Sequence, residues 1–263
     1  MPNEEPPAIE VRALTFRYPH AATPVFSNLS LAVPRAARCL LLGANGVGKS
    51  TLLRLVAGRH MLPLDAVLVL GRPAFHDTRL AGDVAFLGGP FPFSADISVA
   101  EILSARPGID PARRARVLQI LEVDPAWRMH QVSDGQRRRV QLLLDLERRL
   151  RVLLLDEVTA ELDVLSRADL LRFLREESET LGTTIVYASH VLEGLASWAT
   201  HLAFLSPAPR QLRYFGPMAG VLAPGESLAE RCEIWMRQDR DDVRDDVRDD
   251  VRSSARARSG RAD

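Results

Sequence analysis

The run from Gly43 to Thr51 constrains this chain more than any other stretch of its sequence. Its residues, Gly-Ala-Asn-Gly-Val-Gly-Lys-Ser-Thr, fit the pattern G-x-x-x-x-G-K-[ST] of a phosphate-binding loop. Its glycines allow backbone conformations that a Cβ would oppose, so successive amide groups can point at phosphate oxygens. The short, largely apolar run 38–42 before the loop predicts a buried parallel strand, and residues 50–57 after it have helical spacing. A strand, a glycine-rich turn and a helix therefore follow one another in the order that phosphate binding requires.

Two acidic residues follow the aliphatic run 152–155, which predicts a second buried strand. Carboxylates at the end of such a strand are suited to Mg²⁺ and to the water molecule that attacks a phosphate. Asp156 would bind the metal, directly or through water, and Glu157 would orient the water as a general base. The alternative is a solvated strand end, but the combination with a phosphate-binding loop favours the catalytic interpretation.

Composition narrows the class of protein. The chain has 263 residues, 46% of them hydrophobic, which suits one α/β domain with embellishments. Its 34 basic residues equal its 34 acidic ones, so direct nucleic-acid binding is not expected. The two cysteines, Cys39 and Cys232, are too far apart in sequence for a disulfide framework or metal cluster and favour a reducing compartment, the cytoplasm or also the nucleus. The sequence shows no signal peptide and predicts no transmembrane segment.

The periodicity of apolar residues predicts an α/β fold. Alternation over 9–18, with a slip in the middle, and over 25–33 predicts antiparallel strands. Helical spacing amid arginines and prolines predicts an inserted helical segment at about 90–142, and a helix over 134–149. An amphipathic helix is predicted over 165–180, and further strands at 66–70, 84–87, 183–187, 202–205 and 212–215.

The end of the chain differs in kind. Residues 226–239 predict one helix, with Leu228, Cys232 and Trp235 on its apolar side. Arg-Asp-Asp-Val then repeats from Arg240 to Arg252, and a Ser/Ala/Arg/Gly stretch follows. Pairs at i,i+3 could support a helix there, but only a thin valine stripe is available for burial. Residues 240–263 are therefore predicted to be a solvated tail, disordered or marginally helical.

The stretch Val-Ser-Asp-Gly-Gln at 132–136 resembles the signature motif of the ATP-binding cassette (ABC) family, usually Leu-Ser-Gly-Gly-Gln. Other motifs of the family follow in the right order, and the resemblance extends to about residue 220. Tyr18 matches the aromatic residue that stacks on adenine, and Asp163 matches the acid in the loop 160–163 after the catalytic glutamate. His190 matches the switch histidine that reaches the γ-phosphate, whereas the other histidines have no such match.

The resemblance implies a P-loop NTPase fold of the ABC cassette type over residues 1–225. Its parallel core sheet carries an N-terminal antiparallel β subdomain and an inserted α-helical subdomain at about 90–142. It implies ATP and Mg²⁺ as ligands, with Ser50 joining Asp156 on the metal and Lys49 neutralising the β- and γ-phosphates. Other residues implied at the nucleotide, all in the phosphate-binding loop, are Gly43, Asn45, Gly46, Gly48 and Thr51.

The resemblance also implies a head-to-tail dimer, formed with a second copy or a related cassette, that sandwiches two ATP molecules. Ser133 and the amide of Gly135, in the motif that ends at Gln136, would hold the γ-phosphate of the partner's ATP. Closure would then depend on that phosphate, and hydrolysis would release the dimer.

The sequence departs from the family pattern at two places. Transporter-type cassettes carry a glutamine after the strand that matches 84–87, where this chain has Gly88 and Gly89. That glutamine touches Mg²⁺ and water, and its loop docks against the membrane subunit. The second departure is Asp134, whose carboxylate would repel the γ-phosphate unless it turns away or pairs with an arginine among residues 137–139.

With these departures, the chain resembles the branch of single-cassette ABC proteins without membrane segments. That branch includes the fungal ATPase associated with the CCR-NOT transcription regulator and the plant I-subfamily cassettes. It implies an ATP-driven switch in a regulatory protein complex. The alternative is the ATPase subunit of an ABC transporter. A third class, the translation and DNA-maintenance cassettes, normally joins two cassettes or inserts a long coiled coil, and neither is present here.

Overall fold

A computed structural model of the chain describes residues 5–89, 95–159, 162–207 and 212–242. Its main sheet has six strands in the order β10-β9-β3-β8-β7-β6, all pairs being parallel except β9 with β10. Every residue of β3, β7 and β8 is buried, as expected for strands covered on both faces. The strands are β3 (Arg38–Gly43), β6 (Val84–Leu87), β7 (Val152–Asp156), β8 (Thr184–Ala188), β9 (His201–Leu205) and β10 (Leu212–Pro217).

A second, antiparallel sheet has the order β2-β1-β4-β5. The slip predicted within the first strand is a register shift between Val11 and Leu14, where Ala13 has a φ of 42°. The strands are β1 (Ile9–Phe16), β2 (Phe26–Val33), β4 (Val67–Val69) and β5 (Arg72–Pro73). The two-residue β5 was not predicted, because it is too short for a periodic pattern.

Seven helices and one 3₁₀ turn occur in the described residues. α4 ends at residue 146, three residues before the predicted end, and neither α6 nor the 3₁₀ turn was predicted. The helices are α1 (Lys49–Val56), α2 (Val99–Ser104), α3 (Pro111–Ile120), α4 (Asp134–Leu146), α5 (Val164–Leu181), α6 (Leu195–Trp198) and α7 (228–242), and the 3₁₀ turn is Thr78–Gly82.

Hydrophobic clusters cover both faces of the main sheet. Along β3, Leu40 and Leu42 belong to the cluster that packs against α2 to α5, whereas Cys39 and Leu41 belong to the one shared with the antiparallel sheet and α1. Successive residues of a strand point to opposite faces, so this strand is anchored from both sides. The phosphate-binding loop therefore leaves the sheet from a well-packed strand.

The C-terminal helix α7 includes the first residues of the predicted tail. Arg213 of β10 pairs with Asp239 at 2.5 Å and lies 3.7 Å from Asp242, while Trp235 packs against Phe204 and Tyr214. These contacts hold the helix to residue 242, three residues beyond its predicted end. The rest of the tail, like Pro90 and residues 160–161, lies outside the described residues. None of the helices in the described part of the chain combines the length and apolar character that a membrane crossing needs.

Candidate functional site

The phosphate-binding loop joins β3 to α1. Neighbouring strands leave no room for a side chain at two of its glycines. Gly43 has a φ of 141°, and a Cβ there would lie 2.5 Å from the carbonyl oxygen of Leu205 in β9. Gly48 has a φ of 112°, and a Cβ there would lie 2.9 Å from the ring of Phe26 in β2. Residues of both sheets thus pack closely against the loop, and only glycine fits at these two positions. Between them, Asn45 and Gly46 are exposed.

The side chain of Lys49 folds back over this loop. Its Nζ donates hydrogen bonds to the carbonyl oxygens of Gly43 at 2.9 Å and Ala44 at 3.2 Å. Burial lowers the pKa of Lys49, and the nearby carboxylates of Glu157 and Asp156 act in the opposite direction. The buried ammonium therefore has neutral hydrogen-bond acceptors, an arrangement that an anion in the loop would improve.

The expected metal ligands converge at the ends of two strands. Ser50, at the start of α1, donates from Oγ to Oδ1 of Asp156 at 3.0 Å, and Asp156 is buried at the end of β7. Two neighbouring ligands of an octahedral Mg²⁺ lie about 2.9 Å apart, so the two oxygens fit that ion. No group of three or more His, Cys, Asp or Glu side chains suited to a metal occurs in the described ranges. Phosphate and water oxygens would have to complete the coordination, as is usual for Mg²⁺.

Glu157 and His190 are brought together because β7 and β8 are adjacent parallel strands. His190 Nδ1 lies 2.6 Å from Oε2 of Glu157, and the His190 amide donates to the same oxygen at 3.2 Å. Glu157 has a φ of 54° and is held there by its amide, which donates to the carbonyl of Ala188 at 3.0 Å. Unfavourable backbone angles of this kind are concentrated at functional sites. The carboxylate remains one-third exposed (33%), so water can reach it.

Tyr18 lies beside the phosphate-binding loop. Its hydroxyl is 3.1 Å from Oγ1 of Thr51, and its ring makes edge contacts with Phe16 and His60 at centroid distances of 5.0 and 5.5 Å. Stacking of Tyr18 on adenine stays a prediction. His60 was not predicted at the site, because nothing in its sequence context shows that the loop after α1 returns to this aromatic cluster.

The signature-like segment lies at the start of α4. Ser133 caps this helix: its Oγ accepts from the Gln136 amide at 3.2 Å, and Gln136 Oε1 accepts from the Ser133 amide at 2.9 Å. α4 packs on β6, the third strand from β3, which is about 14 Å away at ordinary strand spacing. Ser133 is exposed, with Gly135 and Gln136 half-buried behind it. Residues 133–136 therefore begin a helix that packs on the edge strand, whereas the phosphate-binding loop follows the interior strand β3.

Two acids near this segment have structural partners. The Asp134 side chain is fully exposed and lies 3.9 Å from Arg137, so it is solvated and weakly paired. Asp163 caps α5 by accepting from the amides of Leu165 and Ser166, both at 2.9 Å, and these bonds together with that of the Ser166 hydroxyl lower its pKa. A contact of Asp163 with nucleotide stays a prediction.

Comparison with known proteins identifies the class. The model of the ABC transporter family matches residues 26–160, about half of the chain and including the phosphate-binding loop, the signature-like segment and the acidic strand. The chain therefore belongs to the ABC family of ATP-binding cassettes.

Individual relatives refine this assignment. The chain is 42% identical to ABC transporter I family member 20 of Arabidopsis thaliana over 90% of its own length and 78% of the relative's. It is 41% identical to CCR4-associated factor 16 of Saccharomyces cerevisiae over 73% of each chain. A dimeric structure of an ATP-binding cassette in a post-hydrolysis state, bound to ADP and Pi, matches with a TM-score of 0.67 and 19% identity. The match covers 81% of this chain and 99% of the cassette in the solved structure, and it confirms the predicted cassette fold.

Proposed function

We propose that this protein binds and hydrolyses Mg·ATP between two cassettes and uses the cycle as a conformational switch in a regulatory protein complex. The observation that carries the proposal is the arrangement at the ends of β7 and β8. There, Ser50 with Asp156 and Glu157 with His190 form two adjacent pairs beside the ammonium of Lys49. One pair suits a metal ion and the other suits a water molecule.

Each side chain has a separate task in this proposal. Lys49 would exchange its two carbonyl acceptors for oxygens of the β- and γ-phosphates. Mg²⁺ held by Ser50 and Asp156 would neutralise charge on the same phosphates. Glu157 would accept a proton from the attacking water, and His190 would hold the carboxylate in position and contact the γ-phosphate.

The second half of the site would come from a second chain. Ser133 is exposed at the N-terminus of a 13-residue helix, where amide groups and the helix dipole favour an anion. Gly135 and Gln136 stand in the same turn. A head-to-tail dimer, with itself or a related cassette, would place this turn on the partner's γ-phosphate. The similar cassette whose solved structure is dimeric supports the formation of a dimer.

The same proposal covers the organisation of the chain. Residues 1–225 would form the ATPase domain, with a helical subdomain at about 90–142 that includes α2, α3 and most of α4. The C-terminal helix would follow, and then the charged tail. A regulatory complex such as CCR-NOT, in the cytoplasm or nucleus, is supported by the relative named CCR4-associated factor 16 and by the glycines at 88 and 89.

A glutamine at position 157 tests the catalytic proposal. Glu157→Gln keeps the shape of the side chain but removes its basicity, so turnover should fall at least about 100-fold while Mg·ATP still binds. The variant should elute as a dimer in ATP and as a monomer in ADP. Glu176→Gln is a matched control because Glu176 lies on α5 and pairs with Arg116 on the surface. A monomer in ATP would contradict the sandwich model.

Copurification tests the choice of partner. The family description and the name of the plant relative favour the alternative, the ATPase subunit of a transporter. Glu157→Gln protein should be captured in ATP from separate membrane and non-membrane fractions. Stoichiometric recovery of a polytopic membrane protein would replace the regulatory proposal with the transporter alternative. Salt-sensitive binding to RNA or DNA would favour the translation or DNA-maintenance class.

A further inference from the structure

The backbone after β6 passes directly against the proposed metal site. A Cβ on Gly88 would lie 2.8 Å from the Cβ of Asp156 and closer still to the ring of Phe86. No side chain fits at this position without displacing one of them. Gly89 has a φ of 79° and open space around its Cα, but it too presents only backbone. Neither residue can supply a polar side chain to hold this loop or the end of β7.

A side chain of α4 connects the loop after β6 to the end of β7. Arg138 lies in the second turn of α4, and its guanidinium reaches across to the main sheet. Its Nη1 donates to the carbonyl oxygen of Gly89 at 3.0 Å, and its Nη2 donates to the carbonyl oxygen of Asp156 at 3.2 Å. Gln141, on the next turn of the same helix, accepts from Nη1 at 2.7 Å and fixes the orientation of the group.

The chemistry of the guanidinium suits this position. Its donors lie in one plane in a fixed fork, so two carbonyls in different segments can be held at once. Hydrogen bonds from a charged donor are also stronger than those between neutral groups. The half-buried Arg138 therefore clamps the loop after β6 to the residue whose carboxylate contacts Ser50.

We propose that Arg138 is a positioning residue for the Mg²⁺ site, and that it replaces a side-chain connection that the two glycines cannot make. The inference rests on the proposed function, since it concerns the same nucleotide site. Arg138 fixes the backbone of Asp156, which in turn fixes the carboxylate oxygen that faces Ser50. Because Ser133 caps the same helix, a shift of α4 at the dimer interface would also move the carbonyl of Asp156.

Mg²⁺ dependence of turnover tests this role. In Arg138→Gln, the Mg²⁺ concentration for half-maximal ATPase activity should rise about tenfold and kcat should fall about tenfold, because the hydrogen bond from the charged group to the Asp156 carbonyl is lost together with the one to Gly89. KM for ATP at saturating Mg²⁺ should change less than about threefold, because the phosphate-binding loop is untouched. Arg138→Lys should be intermediate, since an ammonium lacks the fork. The control Arg149→Gln, a 71% exposed side chain beyond the end of α4, should match wild type.

Hydrogen exchange gives a readout that needs no activity. Without nucleotide, amides of 84–89 and 152–157 should exchange about tenfold faster in Arg138→Gln than in wild type or Arg149→Gln. Unchanged exchange, or a lower melting temperature with an unchanged Mg²⁺ requirement, would overturn the positioning role. A wild-type protein without turnover would instead contradict the proposed ATPase, and the exchange experiment would still decide the role of Arg138.

Discussion

The two halves of the candidate site are built on different principles. The first half, the phosphate-binding loop with the ends of β7 and β8, stands on three neighbouring parallel strands whose residues are all buried. The second half, residues 133–136, stands at the exposed start of a helix on the edge strand β6. Buried strands carry the first half, whereas the helix that carries the second half packs on the core through one face and is also held by buried ion pairs.

Buried ion pairs hold the helical segment that carries the second half. Glu147, at the end of α4, is fully buried and accepts from Arg106 at 2.5 Å and Arg114 at 2.7 Å. Arg113 of α3 makes two hydrogen bonds of 2.7 Å to Glu177 of α5, which ties the helical segment to the core. Such contacts depend on direction and distance, so small rotations of the helices would change them.

The two halves also differ in how well the hydrogen-bonding needs of their polar groups are met within one chain. Lys49 directs a buried positive charge at neutral carbonyls, so the first half favours an anion within one chain. Ser133 and Gln136 satisfy each other as a capping box, so the second half is stable on its own and gains a ligand only when a partner approaches. The first half should therefore determine nucleotide affinity, and the second should determine dimerisation.

The largest expected effect is on nucleotide affinity, and it should separate nucleotide binding from dimerisation. Lys49→Ala removes the cation from the first half, so the affinity of the monomer for Mg·ATP should fall roughly 100-fold or more, the loss of two charge-assisted hydrogen bonds. Ser133→Ala should leave that affinity within about twofold, because the hydroxyl belongs to the other half. Titration calorimetry at low protein concentration measures both affinities.

Dimerisation, unlike nucleotide affinity, should be sensitive to the loss of the Ser133 hydroxyl. In the Glu157→Gln background, Ser133→Ala should prevent the ATP-dependent dimer on gel filtration although ATP is bound. Ser104→Ala is a suitable control, because Ser104 is exposed and its hydroxyl donates to the carbonyl oxygen of Glu101 within α2 at 2.8 Å. A Ser133→Ala dimer as stable as that of Glu157→Gln alone would show that the division between the halves is wrong.

Local sequence patterns predicted the strands of the first half, its phosphate-binding loop and its acidic pair, whereas His190 was singled out through the family resemblance. The apolar runs of β3, β7 and β8 are nearly continuous, and the polar residues of the site follow them within a few positions. Parallel strands then bring their carboxyl ends to one edge, so the pairing of Glu157 with His190 follows from topology. The cassette fold, predicted through its motifs, was confirmed by the solved structures.

Contacts between distant segments could not be predicted in this way. Arg138 was grouped with its neighbours as a partner for Asp134, but Arg137 lies nearest that carboxylate and Arg138 reaches Gly89 and Asp156 instead. An arginine can extend in many directions, and only the packing of α4 on β6 selects one. The continuation of α7 likewise depends on Arg213, 26 residues before Asp239.

A medium-sized effect should come from the buried carboxylate of Glu147, at the opposite end of the helix that carries the second half. Glu147→Ala leaves two arginines without their shared acceptor, and unfolding free energy should fall by about 3 kcal/mol. Glu176→Ala removes a pair whose side chains are 42% and 47% exposed and should cost less than about 1 kcal/mol. Urea denaturation measures the difference, and equal losses would show that packing, not Glu147, holds the helical segment.

The smallest effect should follow from Asp134, where the second half departs from the family pattern. Its carboxylate stands one residue after Ser133, is fully exposed and lies 3.9 Å from the guanidinium of Arg137. Water screens such a charge, so Asp134→Gly should leave the ATPase rate unchanged or raise it by no more than about fivefold. Asp134→Asn separates charge from backbone flexibility, because it removes the charge and keeps a side chain at the first helical position. If both variants lose activity, the carboxylate acts directly at the partner's nucleotide, and the exposed half contributes more than a capped helix end.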